Sequence, residues 1–217
     1  MRFRHRNTVA ITTGGTQGLF GNITTFKVNN LREYKEAATD QAYLFDQVAQ
    51  LYDDVEVLGC KITIDAYNSD VNSHCALYGV FSTEESGSAA TDLAASNSVD
   101  NVQERKIPYL RSARMGPRDG SRSQGRVVFK WSKKGWRRFW NADAKTENTQ
   151  RTTSGDPDGE VFLRLGAADL ARSASGTSHS ILCRVQWDWF VRLSDPKNFA
   201  DSLTNNDLGV PVPPTNP

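Results

Sequence analysis

The feature that most constrains how this chain can fold is the alternation of side chains between Ser180 and Leu193. Apolar residues occupy every second position there, with mostly polar residues between them: Ile181, Cys183, Val185, Trp187, Trp189, Val191 and Leu193. A period of two predicts a β-strand with one buried face, because successive side chains point to opposite sides of a sheet. Leu182 and Phe190 interrupt the polar face, which predicts partial cover on that side too. We expect this strand to close an all-β domain that earlier residues have built.

Other segments repeat the strand pattern and are separated by long polar loops. Strands are predicted at residues 23–28, 53–67, 75–82, 104–111, 126–131 and 160–165, and loops at 84–101, 113–125 and 141–158. In the second strand the apolar phase changes near Leu58–Gly59, which indicates a β-bulge. Between Leu31 and Tyr52 the apolar residues recur three or four apart, which predicts a helical insertion.

Seven or eight strands with one helical insertion favour an all-β fold: a single jelly-roll sandwich of two four-stranded antiparallel sheets. Residues 1–22 are predicted as a short, basic, flexible arm, residues 23–196 as the jelly-roll domain, and residues 197–217 as an extended Pro-rich tail. Seven residues are expected to share one core between the sheets. They are Leu58, Cys60, Ile62, Ile64, Val185, Trp187 and Trp189.

The net charge of +1 conceals a segregation of charge along the chain. Residues 105–138 contain twelve Lys or Arg and a single acid, Asp119, so they carry +11 and the rest of the chain carries −10. Basic groups neutralise phosphates and release counterions. The segment is interleaved with Trp131, Trp136, Phe139 and Trp140, and aromatic rings can stack unpaired bases. This composition predicts contact with single-stranded nucleic acid through phosphates, while the aromatic residues fit a core or a subunit contact better.

The predicted nucleic-acid contacts are the basic residues on or beside a strand, together with those at the N-terminus. They are Arg2, Arg4, Arg6, Arg126, Lys130, Lys133, Lys134, Arg137 and Arg138. The basic residues between Arg111 and Arg122 lie on a predicted loop. They could instead meet acidic neighbours across a subunit contact, or a polyanionic receptor on a host cell.

Motifs for catalysis or metal binding are absent from the sequence. There is no phosphate loop, no G-x-S-x-G, no H-E-x-x-H and no paired C-x-x-C, so neither an enzyme nor a cofactor or metal site is predicted. Cys60, Cys75 and Cys183 lie in apolar strand patterns and are expected to be buried free thiols. No apolar run approaches the length of a membrane span, so no membrane insertion is expected.

Three segments, taken in order, resemble the capsid proteins of small circular Rep-encoding single-stranded DNA viruses, the circovirus-like group. The first is Tyr52-Asp-Asp-Val-Glu-Val-Leu-Gly-Cys-Lys-Ile-Thr-Ile, which follows the predicted helical insertion. The second is the strand from Arg126 that ends in Trp-Ser-Lys-Lys, and the third is the strand from Val185 that ends in Phe-Val-Arg-Leu-Ser-Asp-Pro. The order of elements is similar from Ile23 to the C-terminus.

The resemblance implies a coat protein that self-assembles into a small icosahedral T=1 shell around single-stranded DNA. It also implies a virion location, with assembly in the host nucleus. One departure is the short basic start, because the family carries a longer Arg-rich arm where this chain has only Arg2, Arg4 and Arg6. Two other readings stay open: the coat protein of a small RNA virus, and a carbohydrate-binding jelly-roll module. The latter would need Trp187 or Trp189 exposed beside Asp188.

Overall fold

The computed structural model describes residues 1–32, 34, 42, 45–82, 93, 98–100, 110–120, 122–135, 149–151, 157, 159–170 and 178–197. Nine strands and the helix α1 (Phe45–Ala49) are assigned in this part of the chain, and residues 99–100 and 133–135 are also helical. The strands are β1 (Arg2–Thr12), β2 (Thr24–Lys27), β3 (Tyr52–Asn68), β4 (Cys75–Ser82), β5 (Arg111–Met115), β6 (Gln124–Ser132), β7 (Thr149–Arg151), β8 (Phe162–Asp169) and β9 (Ser180–Pro196). No described helix is long and apolar enough to cross a membrane.

The strands form two antiparallel sheets with the strand order of a jelly roll. One sheet runs β1-β9-β3-β6, with the short β7 added beside the start of β3, and the other runs β2-β8-β4-β5. Each sheet therefore combines strands from the beginning, the middle and the end of the chain, as the double Greek key of a jelly roll requires. The predicted fold class is confirmed.

The core lies between the two sheets, and β9 supplies its centre. Trp187 and Trp189 are both fully buried, and their rings stack with centroids 5.2 Å apart and planes 9° from parallel. The predicted core is confirmed except at Leu58, whose side chain is 43% exposed. The predicted bulge explains the exception, because the register shift between Val57 and Gly59 turns Leu58 to the outside and keeps Val57 within.

The prediction of a flexible arm over residues 1–22 is wrong for Arg2–Thr12. These residues form β1, which pairs with β9 over its whole length, from Arg2 opposite Phe190 to Thr12 opposite Ser180. Phe3, Val9 and Ile11 face the core at odd positions, so the arginines at even positions face outward. Burial of these three side chains holds β1 on the sheet. The predicted Pro-rich tail lies outside the described residues beyond Lys197.

Two further boundaries differ from the sequence-based expectation. The only described α-helix in the region from Leu31 to Tyr52 is α1, while Leu31 and Tyr34 are buried in the core without helical structure. Strand β5 begins at Arg111 and includes residues assigned to a loop, because Ala113 and Met115 alternate onto the core. The strand predicted at 104–111 falls outside the described residues up to position 109.

The outer faces of the two sheets differ sharply. Outside β4 and β8 a second apolar cluster is buried, in which Phe20 meets Tyr78 edge to face at 5.4 Å. Leu93 and Val99, from the connection after β4, also belong to this cluster. The outer face of the β1-β9-β3-β6 sheet carries charged side chains instead. One face of the sandwich is thus covered by the chain's own connections, and the other presents its side chains to solvent.

Candidate nucleic-acid interface

Strand register assembles the outward basic residues of four strands into one surface. Arg4, Asp188, Lys61 and Lys130 stand in a row across β1, β9, β3 and β6, and Thr8, Arg184, Asp65 and Arg126 form a second row. We call the surface that includes these rows the basic sheet face. Its cations are Arg2, Arg4, Arg6, Lys61, Arg126, Lys130 and Arg184. The carboxylates of this surface are Asp65 and Asp188. They are counted over the segment Gly59–Tyr67 of β3 and the segments of neighbouring strands that lie beside it.

Asp188 ties the N-terminal arginines to the sheet. Arg2 Nη2 and Arg4 Nε each donate to Asp188 Oδ1 at 2.8 Å, and Gln186 Nε2 donates to Oδ2 at 3.1 Å. Burial raises the pKa of Asp188, but the hydrogen bonds from Arg4, Arg2 and Gln186 outweigh it and leave this pKa below its ordinary value. The side chains of Arg2 and Arg4 remain half-exposed, so donors that Asp188 does not use still face solvent.

Arg126 and Arg6 are also oriented by neighbours on the sheet. Arg126 Nε donates to Asp65 Oδ1 at 2.5 Å, and this contact raises the pKa of Arg126 above its ordinary value. Arg6 Nε donates to Gln186 Oε1 at 3.0 Å. Both side chains lie on the outward face, where a guanidinium keeps several donors for a phosphate.

Lys61 and Lys130 form the unneutralised centre of the basic sheet face. They are opposite one another on β3 and β6, both are exposed, and no carboxylate of the described chain pairs with either. Lys61 was missed in the sequence because it stands outside the basic segment 105–138. The signal that could have found it is its position on the outward phase of β3, between Cys60 and Ile62.

Lys133, one of the predicted nucleic-acid contacts, already has a partner within the chain. Its ammonium group pairs with Glu56 Oε1, and only 15% of its side chain is exposed. Arg192 Nη2 approaches the other oxygen of Glu56 at 2.5 Å, as an ion pair without hydrogen-bond alignment. Lys134 follows on the surface and is exposed. Arg137 and Arg138 lie outside the described residues.

The predicted basic residues between Arg111 and Arg122 lie on or after β5, which belongs to the other sheet. Arg111 and Arg114 are exposed on β5, the edge strand of the other sheet, and Arg118 and Arg122 are exposed in the loop that follows. Their location is compatible with a subunit contact and with a polyanionic receptor, and both roles stay predictions.

Other kinds of site find little support in the described residues. Trp187 and Trp189 are fully buried, so neither can offer the exposed aromatic platform that a carbohydrate site needs. Trp131 is buried in the core as well, in agreement with its strand period. Within the described residues no group of three or more His, Cys, Asp or Glu could hold a metal ion.

The cysteines are three buried free thiols, as predicted. Burial raises the pKa of Cys75 to about 11 and that of Cys183 to about 12. Burial, reinforced by the nearby charge of Asp188, also raises the pKa of Cys60 well above its ordinary value. Burial therefore disfavours the thiolate, which is the reactive form, at all three positions.

Comparison of the fold with solved structures finds viral particles. Sacbrood virus of honeybee, in expansion state II, is 14% identical, with a TM-score of 0.47 and coverage of 98% of this chain and 93% of that chain. Israel acute paralysis virus is 10% identical, with a TM-score of 0.49 and coverage of 89% and 76%. A semi-empty virus-like particle of Macrobrachium rosenbergii nodavirus, from giant freshwater prawn, is 11% identical, with a TM-score of 0.47 and coverage of 91% and 96%.

At these identities and TM-scores the strand order within the chain, rather than the likeness, establishes the jelly roll. No family model matches the sequence, and no curated protein matches it either.

Proposed function

We propose that this chain is the coat protein of a small virus, and that many copies assemble into an icosahedral shell around single-stranded nucleic acid. The observation that carries the proposal is the basic sheet face on a jelly roll whose other outer face is covered. Seven cations share that surface with two carboxylates, and Asp188 is already held by Arg2 and Arg4. A surface with this charge balance attracts a polyanion.

The geometry of the surface suits phosphate binding without sequence preference. Neighbouring strands are about 4.8 Å apart, and outward side chains on one strand are separated by about 6.7 Å, so the cations form a lattice on a rigid sheet. Contacts of this kind position a nucleic-acid backbone and do not discriminate among bases. The proposed contacts are Arg2, Arg4, Arg6, Lys61, Arg126, Lys130, Arg184 and the adjacent Lys134.

The sequence-based expectation and the comparisons differ on the nature of the nucleic acid. The resemblance to circovirus-like proteins implied DNA, whereas the three solved structures described above are from RNA viruses and agree with the RNA-virus alternative. Phosphate contacts do not separate the two, because the 2′-hydroxyl is what distinguishes RNA from DNA. Nuclear assembly was implied by the DNA reading and depends on it.

Expression of the full chain followed by negative-stain microscopy and extraction of bound nucleic acid tests the proposal. We expect uniform small particles whose nucleic acid is protected from nuclease until the shell is opened. Digestion of the extract by DNase or by RNase then identifies the nucleic acid as DNA or RNA. The same digestion of nucleic acid extracted from virions decides which of the two is the genome. A chain that stays monomeric across protein concentration, salt and pH, and binds no single-stranded nucleic acid, would contradict the proposal.

A further inference from the structure

A hollow of about 390 Å³ opens on the basic sheet face beside Lys61 and Lys130. Its lining is mainly apolar, and the side chains that shape it are Leu58 and Phe190, with Gly59 between them. The volume falls in the range of small-molecule sites, which combine apolar walls with a few polar groups that fix orientation.

The bulge in β3 creates this hollow. The register shift between Val57 and Gly59 brings Leu58 to the outer surface and sets Gly59 opposite both Phe190 and Ser132. Gly59 has no side chain to fill the space, and an added Cβ would stand 3.2 Å from the Trp131 carbonyl oxygen. Bulges commonly redirect side chains at functional places in sheets.

The walls of the hollow are unusual for a charged surface. Phe190 is 47% exposed and Leu58 43% exposed, although both lie among cations. The Arg2 guanidinium carbon lies 5.7 Å from the centre of the Phe190 ring. The ring is thus flanked by a cation on one side, which favours an aromatic partner on a free side because guanidinium, ring and base can form a stack.

We propose that the hollow is a nucleotide subsite, in which one unpaired base of the bound strand stacks on Phe190 and its flanking phosphate lies between Lys61 and Lys130. This inference rests on the proposed function. It adds base stacking on Phe190 to the phosphate contacts by which the sheet binds the nucleic-acid strand. Asp188 lies opposite Lys61 on β9 but is held by Arg2 and Arg4, and no carboxylate of the described residues forms an ion pair with either lysine. An anion between the two lysines therefore relieves their repulsion. The base must be unpaired, because a duplex keeps its bases stacked within the helix.

The test measures binding of labelled oligomers to the unassembled full chain by fluorescence anisotropy. Two probes of equal length are used, a thymidine oligomer and an abasic oligomer with the same phosphates. For the wild type we expect about 5- to 100-fold tighter binding of the thymidine oligomer, as one stacked base provides. In Phe190→Leu this preference should disappear, whereas Phe190→Trp should keep it.

Two controls separate stacking from charge and from folding. Leu182→Ala changes a side chain of the same exposure on the same face of β9, away from the lysines, and should leave the preference intact. The double variant K61Q/K130Q should keep the preference but lower the salt slope of binding, by about 1.4 in log–log units for two lost charges. Circular dichroism and thermal unfolding confirm that each variant is folded.

The outcomes distinguish the inference from the proposed function. If Phe190→Leu keeps the wild-type preference, while K61Q/K130Q binds more weakly, the sheet face binds phosphates and the nucleotide subsite is refuted. If Phe190→Leu binds both probes normally but no longer forms particles, Phe190 contacts a second copy of the chain, and the inference is again overturned. If the wild type binds neither probe, the proposed function itself fails.

Discussion

Lys61 and Lys130 lie directly opposite each other on neighbouring strands, and both face away from the core. Like charges in this arrangement destabilise a sheet by a few tenths of a kcal/mol or more. Asp188 lies opposite Lys61 on β9 but pairs with Arg2 and Arg4, and no carboxylate of the described residues forms an ion pair with Lys61 or Lys130. We interpret the pair as a site where repulsion between two ammonium groups lowers the stability of the isolated chain. A phosphate bound between them would remove this repulsion.

Lys130→Glu should therefore affect stability and binding in opposite directions. Strand β6 lies at the end of the β1-β9-β3-β6 order, so position 130 has Lys61 as its cross-strand neighbour, and the substitution turns repulsion into attraction. We expect the free energy of unfolding of nucleic-acid-free protein to rise by about 0.2–1 kcal/mol at low salt. Affinity for single-stranded oligomers should fall. Urea unfolding and anisotropy measure the two quantities, and a fall in both would show that Lys130 has a structural partner.

The second prediction concerns the acid side of the stability profile. The folded pKa of Asp188 is lowered by Arg4, Arg2 and Gln186, so its contribution to stability is present above the unfolded pKa of about 3.9 and is lost as pH falls through the folded pKa. Asp188→Asn should cost about 1–3 kcal/mol at pH 7, because charge-assisted hydrogen bonds to β1 are weakened. Below pH 4 the difference between wild type and variant should shrink.

Urea unfolding at pH 7 and at pH 3 measures this difference. Part of the acid dependence should remain in Asp188→Asn, since the pKa of Asp70 is also lowered, chiefly by a hydrogen bond from the Asn72 backbone. Asp119→Asn, an exposed residue of the β5–β6 loop, serves as the control and should leave the profile unchanged. A cost for Asp188→Asn that stays the same at pH 3 would contradict the assignment.

The alkaline side should be governed in part by the three thiols. Burial raises the pKa of each thiol in the folded state. The contribution of the neutral thiols to the free energy of unfolding is therefore complete below the unfolded thiol pKa of about 8.5, and it is lost as pH rises above that value. We expect no thiol to react with DTNB at pH 8 in the native protein, and all three to react in guanidinium chloride. Rapid reaction of a native thiol would show that the sheets open locally around that cysteine.

The stacked tryptophans give a prediction about the core. Trp189 Nε1 donates to the Val28 carbonyl oxygen at 2.8 Å, whereas Trp187 Nε1 has no hydrogen-bond partner in the described chain. Trp189→Phe should therefore cost about 1 kcal/mol more than Trp187→Phe, since it leaves a buried carbonyl unpaired. Trp187→Ala should cost about 3–5 kcal/mol through lost contacts and a cavity. Equal costs for the two Phe variants would count against the hydrogen bond.

The fold was largely predictable because side-chain alternation reports directly on strand faces. It located β9, β3 and the bulge, and it placed Trp187 correctly. It failed at Leu58, because the exact position of the bulge decides whether this side chain faces the core or the solvent. It also failed at β1, where Arg2, Arg4 and Arg6 concealed the apolar alternation of Phe3, Val9 and Ile11. Leu182 and Phe190 are covered only in part, each being 47% exposed.

The candidate site was predictable only in part. Basic residues that are close in sequence need not share a surface, and strand register brings together others that are far apart in sequence. Counting basic residues found Arg126 and Lys130 but missed Lys61 and Arg184, which reach the same surface through strand register. The same count included Lys133, which Glu56 neutralises from 77 residues away in sequence. Such pairings follow from the sheet topology, which no local window of sequence contains.

The most direct test of the account is the nucleic-acid content of purified particles, measured by the ratio of absorbance at 260 and 280 nm. The double variant K61E/K130E reverses two charges of the basic sheet face. Position 61 also lies opposite Asp188, which Arg2 and Arg4 hold, so thermal unfolding is measured to confirm that the variant is folded. K61R/K130R keeps both positive charges at the same two positions and is the matched control. The account predicts that K61E/K130E forms shells depleted of nucleic acid, while the control packages like the wild type. K61E/K130E shells filled to the wild-type level would contradict it.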